Sequence, residues 1–124
     1  MRYEATLADD DTSVGVARRF VADRLSEPPW DAVLDDALLV TSELVTNAHR
    51  YGRGLIELWL TLSAGEVRLE VLDRSPREPQ RRDPNVDAEG GRGMVIVDAI
   101  ASDWGVVHLG EAKSVWVLIP LGGR

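Results

Sequence analysis

Residues 55–73 read LIELWLTLSAGEVRLEVLD, and this stretch decides the fold class. It contains two strand-like runs, residues 55–62 and 66–72, which are joined by Ser63-Ala64-Gly65. In the second run charged residues alternate with Val or Leu, which is the period of a strand with one face in solvent. The stretch therefore predicts two strands of a sheet that buries one of its faces.

Two helices are predicted before these strands. Apolar residues recur at steps of three and four over residues 14–25, and residues 11–13 offer side chains that can cap this first helix. Pro28-Pro29 ends the element, because neither proline can donate a backbone hydrogen bond. The helical period resumes from about residue 30 to residue 50, and Gly52 marks the end of the second helix.

The remaining chain predicts a loop, a short helix and a second hairpin. The periodic pattern is lost over residues 74–91, a length at which loops are usually functional or disordered. A helix is predicted to begin near Gly93, and strands are predicted over residues 104–109 and 113–119. This order predicts a single α+β domain over residues 1–124, a two-layer sandwich with helices on one face of a mainly antiparallel sheet.

Composition narrows the classes of function. The chain has 124 residues, 44% hydrophobic and 28% charged, which is typical of one globular domain. Cysteine is absent, so disulfides, thiolate metal sites and a cysteine nucleophile are excluded. A net charge of −7 argues against nucleic acid as the main partner. No apolar run approaches the roughly 20 residues that span a bilayer, and residues 1–5 do not resemble a secretion signal, so a cytoplasmic protein without membrane contact is expected.

The second helix carries the first candidate site. Glu43 and Asn47 are four residues apart and so project from the same side of the helix, close to its apolar stripe. An amide oxygen can fill one position around Mg²⁺ beside phosphate oxygens, and a carboxylate one turn earlier can accept a proton from an attacking hydroxyl or water. The same spacing is also common in plain surface pairs, and the spacing alone does not separate the two interpretations.

Asp73 is the second candidate, at the point where the chain leaves the sheet. A carboxylate in that position can accept a hydrogen bond from an exocyclic amine while the strands supply apolar contacts. An aspartate that opens a turn before Ser75-Pro76 is an equally natural interpretation.

The third candidate is the glycine-rich run Glu89-Gly90-Gly91-Arg92-Gly93-Met94, directly before the predicted short helix. Glycines let backbone N–H groups approach an anion, the helix N-terminus adds partial positive charge, and Arg92 could pair with a phosphate oxygen. Glycine-rich runs also serve merely as turns, and this alternative stays open.

The three candidates occur in an order that resembles a known superfamily. Residues 41–48, TSELVTNA, resemble the N box of the histidine-kinase-like (GHKL) ATPases. Residues 71–75, VLDRS, resemble the first glycine box of that superfamily, and residues 91–94, GRGM, resemble the second. Asp73 follows Glu43 by 30 positions, a spacing that also fits. The C-terminal pattern, Trp104-Gly105 followed by residues 113–116, is similar to one subgroup, the small anti-sigma factor serine/threonine kinases.

This resemblance implies a role for each candidate residue, with ATP and Mg²⁺ as cofactors. Asn47 would hold Mg²⁺ against the phosphates, and Glu43 would be the catalytic carboxylate. Asp73 would receive the adenine amine, and Ser114 would help to shape the adenine end of the site. The phosphates would be covered by the residues of the second box, namely Gly91, Arg92, Gly93 and Met94.

The function that the resemblance implies is regulation of transcription by protein partners. The family's kinases phosphorylate a serine or threonine on an anti-anti-sigma factor, and the unphosphorylated partner competes with a sigma factor for the kinase. Ser75-Pro76 and a short second box depart from the usual pattern. They keep open the alternative of a non-catalytic nucleotide-binding or partner-sequestering module of the same fold. The resemblance also leaves open a homodimer.

Overall fold

The structure, a computed structural model, describes residues 1–51, 54–74 and 93–122. Over these ranges five strands form one sheet, and three α-helices pack on one of its faces. The predicted two-layer α+β architecture is therefore confirmed. In chain order the elements are β1 (Arg2–Leu7), α1 (Ser13–Arg24), a 3-10 turn (Trp30–Val33), α2 (Leu34–Tyr51), β2 (Ile56–Ser63), β3 (Glu66–Asp73), α3 (Gly93–Ile100), β4 (Asp103–Leu109) and β5 (Ala112–Pro120).

The sheet has the strand order β1-β2-β3-β5-β4, and every neighbouring pair of strands is antiparallel. The predicted hairpins are β2–β3 and β4–β5, and their tight turns place Gly65 and Gly110 at positive φ values of 83° and 67°. Positive φ is readily populated only by glycine, which explains why these turn positions lack a side chain. The register places β5 beside β3, so the C-terminal end of β3 lies next to the N-terminal end of β5.

Strand β1 was absent from the sequence-based prediction. Only Leu7 of this strand is fully buried, and Tyr3 and Ala5 are half-buried, so its apolar pattern is weak. The strand forms because it pairs with β2, where Tyr3 lies opposite Leu60 and Ala5 opposite Leu58. Because β1 pairs with a strand that is distant in the sequence, the residues of β1 alone give little indication that a strand forms there.

The predicted capping of α1 is wrong in detail. Thr12 has helical dihedral angles, so its hydroxyl makes no side-chain cap of the kind expected from residues 11–13. Instead, the Thr12 backbone N–H and hydroxyl both donate to Asp10 Oδ1, at 2.8 Å and 2.5 Å. These two hydrogen bonds lower the pKa of Asp10 from its ordinary value, because they stabilise the carboxylate form.

The core lies between the sheet and the helices, with α2 at its centre. Helix α2 packs against α1, α3 and β3, and its buried side chains Val40, Leu44 and Val45 form an apolar stripe. No helix among the described residues is long and apolar enough to cross a membrane. The largest fully buried side chains of the core are Leu7, Leu25, Ile56, Leu58, Leu60, Leu69 and Ile119.

The opposite side of the sheet, called here the open face, is polar and aromatic. On it Arg68 Nε lies 2.8 Å from Glu70 Oε1, and the Arg68 guanidinium lies 4.9 Å from the centre of the Trp116 ring. Arg2 stacks in the same way on Trp59, at 4.4 Å. The strict alternation of β3 thus separates an apolar helix-facing side from a charged open face, as its sequence predicts.

Candidate functional site

Asp73 is the last residue of β3, and its side chain points to the helix-facing side. The alternating burial of β3 places Val67, Leu69, Val71 and Asp73 on that side, and Asp73 is only 5% exposed. The next residue, Arg74, is exposed, so the chain leaves the sheet immediately after the carboxylate. A buried carboxylate at a strand end is what the sequence predicts for a residue that recognises a polar ligand group.

Lys113 lies beside Asp73, and sequence reasoning did not select it. The two residues face each other in the β3–β5 register, and Lys113 Nζ lies 3.8 Å from Asp73 Oδ1. Lys113 is itself 5% exposed, which is rare for lysine because burial penalises an uncompensated charge. The sequence holds one signal that could have found it: Lys113 is the single lysine among 14 basic residues, and the other 13 are arginines.

Ser114 lies on the other side of the sheet from Asp73. It pairs with Leu72 in the register, and its hydroxyl donates to Glu70 Oε2 at 3.1 Å on the open face. Because successive side chains of a strand point to opposite faces, Ser114 and Lys113 cannot both lie beside Asp73. The structure therefore does not bring Ser114 together with Asp73, and Lys113 takes the position next to the carboxylate.

Glu43 and Asn47 lie on α2, at the border of its buried stripe. Both side chains are half-buried, whereas their neighbours Leu44, Val45 and Ala48 are buried. Their separation of four residues within one continuous helix places them on the same side, as predicted. Both side chains therefore keep part of their surface exposed, while the helix holds them in fixed relation to the core.

Helix α3 begins at Gly93, within the glycine-rich run, which agrees with the predicted start. Met94, in its first turn, is 2% exposed and belongs to the core, so its side chain anchors the helix start. Gly91 and Arg92 lie outside the described residues, as do residues 75–90 of the predicted loop.

The elements that carry these residues contact one another. Helix α2 packs against both α3 and β3, and β3 pairs with β5. Among the described residues, no group of three or more His, Cys, Asp or Glu side chains could hold a metal ion by itself. A Mg²⁺ ion at this site would therefore depend on few protein ligands together with phosphate oxygens, which is its common coordination in nucleotide sites. The buried acceptor, the amide and the helix start fit a nucleotide–magnesium complex.

The family is established by a match over most of the chain. Residues 7–119 match the family model of the histidine kinase-like ATPase domain, and the chain belongs to this family. Domains of this family bind ATP, generally with Mg²⁺. A comparison with curated proteins gave no match.

Solved histidine kinase structures share the fold. The chain is similar to the histidine kinase domain of the blue-light activated histidine kinase from Erythrobacter litoralis EL346, with 20% identity and a TM-score of 0.56 over 90% of this chain and 60% of that one. It is also similar to the histidine kinase AdeS from Acinetobacter baumannii, with 12% identity and a TM-score of 0.56 over 96% of this chain and 68% of that one. The chain covers 41% of a second structure of the Erythrobacter kinase, at 21% identity and a TM-score of 0.54 over 89% of this chain.

Proposed function

We propose that this chain binds ATP with the adenine base against Asp73. The observation that carries this proposal is the carboxylate itself, which is 5% exposed at the end of β3 and faces the helical layer. A carboxylate can only accept hydrogen bonds, so it selects a ligand that brings a donor. The exocyclic amine of adenine supplies such a donor, whereas guanine presents a carbonyl oxygen at the corresponding position.

The phosphate end of the proposed site is formed by α2 and by the start of α3. The Asn47 amide oxygen would hold Mg²⁺ against the phosphates, and the backbone of Gly91, Arg92, Gly93 and Met94 would cover them. The N-terminus of a helix favours negative charge, and α3 begins within this run. Mg²⁺ would neutralise charge on the phosphates when it is bound.

The proposed reaction transfers the terminal phosphoryl group of ATP to a serine or threonine hydroxyl. The hydroxyl oxygen forms a bond to the γ-phosphorus, the bond from that phosphorus to the bridging oxygen breaks, and ADP leaves. Glu43 is the proposed acceptor of the hydroxyl proton, because it lies one helical turn before Asn47 and is half-buried on the same side. Positioning and charge neutralisation carry most of the catalysis in phosphoryl transfer.

The proposed partners are an anti-anti-sigma factor as the phosphorylated protein and a sigma factor as the sequestered one. This part rests on the resemblance of the C-terminal residues 104–116 to small anti-sigma factor serine/threonine kinases. The net charge of −7 favours protein partners over nucleic acid. The proposed place of action is the cytoplasm, where sigma factors act.

Two variants of α2 test the division of roles. Glu43→Ala should leave ATP affinity nearly intact but slow phosphoryl transfer by about 10²–10⁴-fold, the usual contribution of a general base. Asn47→Ala should weaken both Mg²⁺-dependent binding and transfer, because the metal joins protein and phosphates. The measurements are radiolabel transfer from ATP to the partner protein and calorimetric titration with ATP. Glu57→Ala, an exposed glutamate of β2, is the matched control.

The alternative function is a module that binds nucleotide or sequesters a partner without catalysis. The departures at Ser75-Pro76 and in the short second box favour this alternative. ATP binding by the wild type without transfer to any candidate partner would support it. Transfer at the wild-type rate by Glu43→Ala would contradict the role of Glu43 as the base.

A further inference from the structure

Lys113, the buried partner of Asp73, is a residue of the proposed site to which the family resemblance gives no role. Both side chains are almost fully enclosed, with side-chain exposures of 4% for Asp73 and 6% for Lys113. They are held on neighbouring strands by direct register, so their separation is fixed by the sheet and not by flexible loops. On the described part of the helix-facing side, they stand in line with the buried valines Val71 and Val115.

The choice of lysine at this position is informative. The chain uses arginine at its other 13 basic positions and uses lysine here alone. An ammonium is a compact point charge, whereas a guanidinium is a planar fork that binds both oxygens of a carboxylate. Lys113 Nζ lies 3.8 Å from Asp73 Oδ1, which is longer than an ordinary hydrogen bond to that oxygen. At this distance the ammonium offsets the charge of the carboxylate.

We propose that Lys113 is a positioning residue for base recognition, which holds Asp73 as an oriented carboxylate and so makes the site selective for adenine over guanine. The inference rests on the proposed binding of ATP and deepens it. Lys113 acts through Asp73 and is not itself a catalytic residue.

The physical reason lies in the two forms of a buried carboxyl group. The ionised form only accepts hydrogen bonds, so it requires a donor such as the 6-amino group of adenine. The neutral acid carries an O–H and can also donate, so it can satisfy the 6-oxo group of guanine equally well. Burial favours the neutral form of an isolated carboxyl group, and a neighbouring cation favours the ionised form. Removal of Lys113 should therefore relax the base preference even though no group that contacts the base has been changed.

The test is the ratio of the dissociation constants for GTP and ATP, measured by calorimetry in the presence of Mg²⁺. The wild type should prefer ATP by about tenfold or more, the effect of one buried acceptor without a donor. Lys113→Met and Asp73→Asn should each bring the ratio close to one. The double variant should resemble the single variants, because both changes remove the same acceptor-only group.

The matched control is Arg68→Met, which removes a cation next to a carboxylate on the open face of the same strand. Arg68 pairs with Glu70 at 2.8 Å, and its loss should leave the GTP-to-ATP ratio unchanged. A merely structural role of Lys113 would lower the melting temperature of the free protein but would not move this ratio. An unchanged ratio in a folded Lys113→Met variant would overturn the inference.

A measurement on the wild type covers the case in which Lys113→Met does not fold. The ¹³C chemical shift of the Asp73 carboxyl carbon, assigned by comparison with Asp73→Asn, should report a carboxylate at neutral pH. A neutral Asp73 in the wild type would overturn the inference. Failure of the wild type to bind ATP would overturn both this inference and the proposed function. Binding of ATP with equal affinity for GTP would overturn the proposed base recognition and the role of Lys113, but would leave nucleotide binding intact.

Discussion

The two faces of the β3–β5 strand pair carry similar residues in very different surroundings. On the helix-facing side Asp73 and Lys113 are both 5% exposed. On the open face Glu70 accepts hydrogen bonds from Arg68 and Ser114, and the side chains of Arg68 and Glu70 are 35% and 15% exposed. Lys113 and Ser114 are adjacent in sequence, yet the alternation of the strand sends one to each face.

The difference in burial favours one of the two charged pairs for a role in ligand recognition. The Arg68–Glu70 pair is only partly buried, and Arg68 stays partly solvated, so the loss of this pair should change stability less than the loss of the buried pair. A buried pair costs desolvation energy that hydrophobic residues in the same place would not cost. A buried pair is thus a costly way to stabilise a fold, and its presence at the strand end that carries Asp73 favours a role in recognition.

The largest expected effect on stability comes from removing the carboxylate of the buried pair. Asp73→Ala should lower the free energy of unfolding by about 3–5 kcal/mol, because it leaves a buried ammonium without its carboxylate. Urea denaturation of the variant and the wild type measures the change. Glu70→Ala is the matched comparison on the open face of the same strand, and it should cost less than Asp73→Ala, because the Arg68 side chain is 35% exposed and stays partly solvated.

A cost of Asp73→Ala no larger than that of Glu70→Ala would contradict the contrast between the two faces. It would mean that Lys113 reaches solvent once its partner is removed.

A smaller effect is expected on the open face itself, where Trp116 packs directly over Gly105. A Cβ atom at Gly105 would lie 2.7 Å from Trp116 Cζ2, so Gly105→Ala must displace the indole ring. The expected loss is about 1–3 kcal/mol, the usual cost of overpacking. Thermal unfolding measures it. Gly15→Ala in α1 is the control, since its Cβ would meet nothing within 4 Å and alanine favours the helix. A neutral Gly105→Ala would show that Trp116 is free to move.

Local periodicity was sufficient to predict most of the fold. Helix α2 and the hairpins β2–β3 and β4–β5 repeat their apolar residues with a clear period, and the structure has them within a few residues of the predicted bounds. Strand β1 could not be predicted from local sequence, because its six residues form a strand by pairing with β2, which is distant in the sequence.

The parts of the candidate site that depend on local sequence periodicity could be predicted. The place of Asp73 at a strand end and the start of α3 at Gly93 both follow from period changes along the chain. The cross-strand neighbour of Asp73 depends on the β3–β5 register, which joins residues far apart in sequence. The resemblance indicates Ser114, whereas the register places its neighbour Lys113 beside Asp73.

The most direct test of nucleotide binding at this site is calorimetric titration of the wild-type chain with ATP, with and without Mg²⁺, and with GTP in parallel. We expect binding of ATP that depends on Mg²⁺ and is stronger than binding of GTP. A nucleotide at 100 times its Kd should also stabilise the fold by about 2.7 kcal/mol, visible as a rise in melting temperature. No heat of binding and no melting shift at millimolar ATP and Mg²⁺ would contradict nucleotide binding by this chain.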